Sequence, residues 1–373
     1  MQASEQSRTR RSTSVVIRAI IPVILALITA AFILLALGKD PIAFYGDVIQ
    51  NGIMDGNWQH SLVMMTPLLI IAVGLIVVFR GQLWNLGYDG QYLLAAVFVA
   101  GLGPTMMKQV GPGLTYLALT LLAMAIGALW TLLPAWLKAQ FGTNEIITTL
   151  VMSSIGVGLT GLLIEYVFQD PNQRTPQTRT LDTGDMLPFI PGTRIHIGFI
   201  VALVVAVVFQ FILNRTSFGL RLDIFGTSPK AARHVGINSK WMTIVLFLIS
   251  GALIGLAASM DILGQWGYVR NNWNPGYGAT IMPFVFLARL SPIGSIPFIA
   301  FYSIFATGGT VASIDAGLST DFLMVIVALI LVFMTITEYV GTKLDLGQSY
   351  LPDELKEAFR RPALVLTRRK VNA

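Results

Sequence analysis

NRTSFGLRLDIFGTSPKAARHVGINSK, residues 214–240, is a long polar stretch between strongly apolar segments. Within it, Ser228 is suited to cap a helix N-terminus, and the proline after it suits the first helical position. Ala231 and Ala232 keep one face of that helix thin, and Gly236 can end it in the left-handed conformation. The pattern predicts a helix of about seven residues, about 10 Å long. A plain connector is the alternative interpretation, because short capped helices often join longer elements.

The composition on either side of this stretch is that of a membrane protein. Hydrophobic residues make up 54% of the chain, charged residues only 12%, and the mean hydropathy is +0.71. Soluble proteins carry about twice that charged fraction. There is no cysteine, and the three histidines, His60, His196 and His234, are far apart in sequence, so no disulfide, thiolate or metal centre is expected.

Apolar segments long enough to cross a bilayer, at about 20 residues each, recur along the chain. They cover 15–37, 61–79, 87–103, 115–137, 146–168, 196–213, 241–262, 278–289, 293–311 and 321–341. The third, eighth and ninth carry enough Gly and Pro to be broken or re-entrant, which is tolerated where the backbone lines a polar cavity. The sequence therefore predicts an all-α polytopic membrane protein of about ten transmembrane helices.

Lysine and arginine predict the orientation of these spans. With the spans assigned alternately, about three quarters of the 25 basic residues fall on the side of the N-terminus, which is typical of the cytoplasmic side. Both termini are therefore predicted to be cytoplasmic. The predicted parts are an N-terminal tail 1–14, a transmembrane domain 15–342 with a cytoplasmic loop 214–240 and an outer loop 169–195, and a basic tail 343–373. The outer loop has two interpretations, a docking site for an external partner or an ordered cover.

Two short motifs suggest an internal repeat. WNLGYDGQ at 84–91 and WNPGYGAT at 273–280 share the pattern W-N-x-G-Y, and each opens a span rich in small residues. In the predicted topology these spans run in opposite directions. The pattern favours inverted repeats, an architecture of transporters whose substrate site lies between the repeats. Chance similarity is the alternative.

The chemistry available near these motifs is uncharged. The chain has no phosphate-binding loop and no recognisable hydrolase motif, so it is not predicted to be an enzyme or to hydrolyse ATP itself. Amides and aromatic rings suit a sugar or nucleoside, although membrane-interface aromatics are the alternative. Asp89 is either paired in the pathway or a helix N-terminal charge. The candidate pathway residues are Trp84, Asn85, Tyr88, Asp89, Gln91, Trp273, Asn274 and Tyr277, with Gln265 and Trp266 nearby.

Several segments in order resemble one transporter family. They are FRGQLWNLGYDGQ at 79–91, FGTNEIITTLVM at 141–152, GTSPKAARHVGINSKWM at 226–242, ISGALIGLAA at 249–258 and NPGYG at 274–278. Together they resemble the permease subunits of bacterial ATP-binding-cassette (ABC) importers for simple sugars and nucleosides, a branch of the superfamily that includes ribose and branched-chain amino acid permeases. The resemblance spans about residues 60–342.

The resemblance implies a role and partners. It implies that GTSPKAARHVGI is the cytoplasmic coupling segment, in a multi-pass protein of the bacterial cytoplasmic membrane. It implies a cytoplasmic ATP-binding subunit that hydrolyses the ATP, a second permease subunit, homologous but not identical, and an extracytoplasmic substrate-binding protein. No cofactor in this chain and no nucleic acid are expected, and membrane lipid surrounds it. The predicted coupling residues are Ser228, Ala231, Ala232, Arg233 and Gly236.

Two functions remain as alternatives to ATP-driven import of a neutral polar solute. A branched-chain amino acid permease belongs to the same superfamily, but its zwitterionic substrate favours charged or helix-end partners over aromatics and amides. An ion-coupled secondary transporter also uses inverted repeats and broken helices. That class needs intramembrane carboxylate or basic relays and transports without an ATPase.

Overall fold

The computed structural model describes residues 20–345, which are helical and contain no β-strand. The helices are α1 Ile20–Ala36, α2 Pro41–Gly52, α3 Trp58–Arg80, α4 Tyr88–Val110, α5 Pro112–Phe141, α6 Glu145–Tyr166, α7 Gly198–Arg215, α8 Ser217–Thr227, α9 Pro229–His234, α10 Ser239–Asp261, α11 Tyr277–Leu287, α12 Pro292–Asp315 and α13 Phe322–Asp345. A π-helical turn, Ile262–Trp266, extends α10. The predicted all-α membrane architecture is confirmed.

Eight of these helices are long and apolar enough to span a membrane, and α1 and α11 are shorter apolar helices. All ten predicted segments coincide with one of them. Of the three segments suspected of a break, α4 and α12 are continuous, and only α11, with 11 residues, is short. The orientation and the exact number of crossings stay predictions. The predicted tail 1–14 and almost all of the tail 343–373 lie outside the described residues.

Two compact units make up the chain, residues 39–323 and a unit that holds α1 and most of α13. Within the first unit α3 is central, and it is buried on all sides from Thr66 to Phe79 because it is apolar all round. Helix α10 packs against α3, α4 and α5, while α12 packs against α2 and α3. The α5–α10 contact is so close that a Cβ at Gly127 would collide with the carbonyl oxygen of Gly251.

The polar stretch 214–240 forms two helices, α8 and α9. The Ser228 hydroxyl accepts a hydrogen bond from the Ala231 N–H at 3.2 Å, a proline occupies the first helical position, and Gly236 adopts φ +80°. The predicted cap and stop are therefore confirmed, around a helix of six residues. Helix α8 was not predicted; its apolar residues Leu222 and Phe225 are buried, which fixes it to the membrane-spanning part.

The outer loop 169–195 is ordered by main-chain hydrogen bonds to the segment that follows α10. The N–H groups of Thr178, Leu181 and Leu187 donate to the carbonyl oxygens of Val269, Gly267 and Leu263 at 3.0, 3.0 and 2.8 Å. This geometry fits the ordered-cover interpretation. A role in docking an external partner stays a prediction.

Candidate functional site

In both W-N-x-G-Y motifs the first four residues are non-helical and the tyrosine begins a helix. Helix α4 begins at Tyr88 and α11 at Tyr277, the same position of the two motifs. The two helix starts meet, since a Cβ at Gly278 would collide with the ring of Tyr88. The motifs thus precede equivalent helix starts and form a junction, while the inverted repeat itself stays a prediction.

In the first motif, Asn85 and Gln91 form a closed hydrogen-bond network. The Asn85 Nδ2 donates to Gln91 Oε1 at 3.1 Å and to Ser250 Oγ at 3.0 Å, and its Oδ1 accepts from Gln91 Nε2 at 2.8 Å and from the Gly87 N–H at 3.1 Å. Asn85 is 0% exposed, and its amide can make no further bond. In this conformation the Asn85 amide fastens the first motif to α10 through Ser250 and is not available to a solute.

The second motif is open at the corresponding residue. Asn274 is exposed, and its Oδ1 accepts a hydrogen bond from the Gly276 N–H at 3.0 Å. Asp89 is half-buried. It lies in the first turn of α4, where the helix N-terminus favours a negative charge, and its pairing in the pathway stays a prediction.

The candidate aromatic side chains separate into two clusters at opposite ends of α11. Near its C-terminus, the ring of Trp84 lies 5.0 Å from that of Phe79 and 5.8 Å from that of Phe286. Near its N-terminus lie Tyr277 and Trp273. The structure therefore brings together the predicted pathway residues Trp273 and Tyr277 and separates Trp84 from them.

Sequence reasoning missed two residues of this second cluster, Tyr92 and Asp261. The ring of Tyr92 lies 5.6 Å from that of Tyr277 and 6.3 Å from that of Trp273, and its hydroxyl donates to Oδ2 of Asp261. Asp261 is 1% exposed and ends α10. The sequence did contain a signal for Asp261, which is the one charged residue of SGALIGLAASMDILGQW at 250–266. The signal was overlooked because Asp261 lies at the end of the predicted span 241–262.

An outer cavity of about 590 Å³ lies beside this cluster. It is enclosed by the start of α3, the outer loop and the π-helical turn, and its lining includes His60, Arg194, Gly264 and Gln265. Gln265 precedes Trp266 of the cluster, so the cavity and the cluster share the π-helical turn.

The opposite end of the unit carries the predicted coupling residues. Ala232 is fully buried against this chain, whereas Ala231, Arg233 and Gly236 are exposed and Ser228 is half-buried. Val235 is 65% exposed beside them. The exposed surface of α9 and its end thus includes Ala231, Arg233 and Val235, and the face that holds Ala232 packs inward.

Arg80, the last residue of α3, connects this region to the pathway helices. Its Nε donates to the carbonyl oxygen of Leu290 at 3.1 Å, in the turn between α11 and α12. Its Nη1 lies 3.9 Å from the carboxylate of Asp223 in α8. Helix α8 also approaches α3 directly, because a Cβ at Gly226 would collide with the Arg80 carbonyl oxygen. Arg80 and Gly226 therefore join α8 to the end of α3 and to the turn that follows α11.

Comparison with known proteins decides the family. Residues 57–335 match the family described as branched-chain amino acid transport system / permease component. The chain belongs to this permease family. The match confirms the resemblance found in the sequence, and makes the chain a transport subunit rather than an enzyme.

Curated relatives of this permease cover most of its length. A glucose ABC transporter permease protein of Haloferax volcanii is 27% identical, over 86% of this chain and 87% of that protein. Two guanosine ABC transporter permease proteins of Bacillus subtilis also match, one 28% identical over 84% of this chain and 91% of its own length, the other 27% identical over 63% and 82%. No solved structure matches the chain. The permease is a multi-pass protein of the cytoplasmic membrane.

Proposed function

We propose that this permease forms the translocation pathway of an ABC importer for a neutral, hydroxyl-rich solute, a nucleoside or a simple sugar. The observation that carries the proposal is the aromatic cluster of Tyr92, Trp266, Trp273 and Tyr277 at the junction of the two motifs. Aromatic faces stack on sugar rings and bases, and the nearby amide and hydroxyl groups offer hydrogen bonds. The names of the glucose and guanosine relatives support the same solute class.

Energy for transport would enter through α9. Its exposed residues Ala231, Arg233 and Val235 offer a small surface to a cytoplasmic ATP-binding subunit, while Arg80 links the adjoining α8 to the α11–α12 turn. When ATP closes the partner, α8 and α9 would move with it, and the pathway between α4 and α11 would open alternately to the two sides. The groups that bind ATP and hydrolyse it belong to the partner.

Two further partners complete the proposal. A homologous, non-identical permease subunit is favoured by the two different guanosine permease proteins of Bacillus subtilis that both resemble this chain. A substrate-binding protein would deliver the solute to the outer cavity beside Gln265.

Site-directed cysteines test the coupling step, because the chain contains no cysteine of its own. Val235→Cys should cross-link to the ATP-binding subunit in membranes, and Asp182→Cys, in the outer loop, should not. Ala231→Trp should reduce uptake and co-purification of that subunit while the protein still inserts and folds. Ala232→Trp should instead unfold the loop, since that side chain is buried. Cross-linking at Asp182→Cys alone, or full uptake by Ala231→Trp, would remove α9 from the coupling role.

A further inference from the structure

Half of the Asp261 carboxylate is without a partner. Tyr92 donates to Oδ2, while Oδ1 is buried and has no hydrogen-bond partner among the described residues. Leaving such a group unsatisfied costs about 1–3 kcal/mol or more, and folded proteins contain few of them. The hydroxyl of Tyr277 and the indole N–H of Trp266 also lie near this carboxylate, but neither completes a hydrogen bond to Oδ1, so this oxygen can accept one from a further donor.

Two more buried polar atoms in the next turn lack partners. They are Gln265 Oε1, an acceptor, and Trp266 Nε1, a donor, and both lie in the π-helical turn that continues α10. π-Helical turns inside α-helices are frequent at functional sites. The indole of Trp266 lies near the Asp261 carboxylate without completing a hydrogen bond to it. Two acceptors and one donor are thus held within six residues.

Aromatic rings surround these atoms. The ring of Trp266 lies 5.2 Å from that of Trp273, and Tyr92 lies between Trp273 and Tyr277. A cation site would need several oxygen ligands around the ion. Here the groups around the carboxylate are instead hydrogen-bond donors, the hydroxyls of Tyr92 and Tyr277 and the indole N–H of Trp266, and their rings offer apolar faces.

We infer that Asp261 is a specificity-determining residue that binds the vicinal hydroxyls of a sugar ring, as a pyranose or the ribose of a nucleoside. Oδ1 of Asp261 and Oε1 of Gln265 accept from two ring hydroxyls, Trp266 Nε1 donates to a ring oxygen, and an aromatic face covers the C–H side of the ring. The inference rests on the proposed function and names the chemistry that the site selects.

The outer cavity gives this site a route from outside. Gln265 and Gly264 line the cavity, and the unpartnered oxygen of Gln265 is four residues from Asp261. The Oε1 atom of Gln265 is itself buried, so a solute in the cavity first meets the π-helical turn that carries this residue. Movement of the π-helical turn then admits it to Asp261.

Saturation-transfer NMR on the full chain in nanodiscs tests the site, with guanosine and D-glucose as probes. At least one probe should bind the wild type, and Asp261→Asn should weaken that binding at least tenfold, because one acceptor becomes a donor. Guanosine should lose a similar factor when replaced by 2′,3′-dideoxyguanosine. Asp182→Asn, an exposed aspartate of the outer loop, is the matched control and should bind as the wild type does.

Trp266→Phe keeps an aromatic ring but removes the indole N–H donor. It tests the proposed sugar site even if Asp261→Asn does not fold. It should weaken binding about fivefold, the effect of one neutral hydrogen bond. Wild-type affinity in the folded variants, equal binding of the dideoxy compound, or no binding of either probe to the wild type would each overturn the inference. Co-purification of the ATP-binding subunit is scored separately, so failure of the importer proposal is distinguishable from failure of the Asp261 site.

Discussion

Replacing Asn85 by alanine should destabilise the fold of this permease rather than lower its affinity for a solute. The change removes four hydrogen bonds and leaves the Gly87 N–H, the Ser250 hydroxyl and the Gln91 amide buried without partners. At about 1 kcal/mol net for each bond, the loss is roughly 3–4 kcal/mol. With about 2.1 cal/mol/K of unfolding entropy per residue, the Tm should fall by about 5 °C.

Thermal unfolding in detergent, followed by tryptophan fluorescence, measures this change, and uptake assays on the folded protein give KM. Asn85→Ala should lower the Tm and leave KM unchanged. Asn274→Ala is the matched control, because Asn274 is exposed at the same position of the other motif, and its effect on stability should stay within about 0.5 kcal/mol. A wild-type Tm together with a raised KM for Asn85→Ala would show that Asn85 contacts the solute, and would refute the reasoning.

Three further predictions concern packing, pH and coupling. Gly127→Ala should destabilise the folded protein by about 1–3 kcal/mol, because the added methyl group overpacks α5 on α10. Size-exclusion chromatography should then show a smaller monodisperse peak. Gly158→Ala, where the added methyl group meets open space, should behave as wild type. Burial lowers the pKa of His196 to about 4 from 6.5, so folding should lose stability as pH falls from about 6.5 to about 4. The Tm of His196→Phe should depend less on pH over that range than the Tm of the wild type. An equal pH dependence of the two Tm values would contradict the lowered pKa of His196. Arg80→Lys loses the bond to Leu290 and should slow uptake more than it reduces co-purification of the ATP-binding subunit; unchanged uptake would exclude a transmitting role.

The features that could be predicted from the sequence are those set by residues close together in the chain. Apolar runs located the helices, and a serine, a proline and a glycine located the cap and end of α9. The orientation of α9 could not be predicted, because which of two adjacent alanines faces inward depends on α8 and α10. Thus Ala232, expected to face a partner, is buried in its own chain.

Tertiary contacts account for what was missed at the candidate site. Asp261 and Tyr92 are 169 residues apart in sequence, so their pairing follows only from the packing of α10 on α4. The asparagines occupy the same position of the two motifs in sequence, but Asn85 is buried and fully hydrogen-bonded while Asn274 is exposed. A repeated motif predicted where two helices begin, but it could not distinguish a buried asparagine that holds the backbone from an exposed one.

ATP-dependent uptake into proteoliposomes tests the central claim most directly. This permease would be reconstituted with its co-purified partner subunits and binding protein, without any ion gradient, and uptake of radiolabelled guanosine and glucose would be followed with and without ATP. The account predicts uptake of one of these solutes only when ATP and the ATP-binding subunit are both present. Uptake by the permease alone, driven by an imposed proton or sodium gradient, would contradict it.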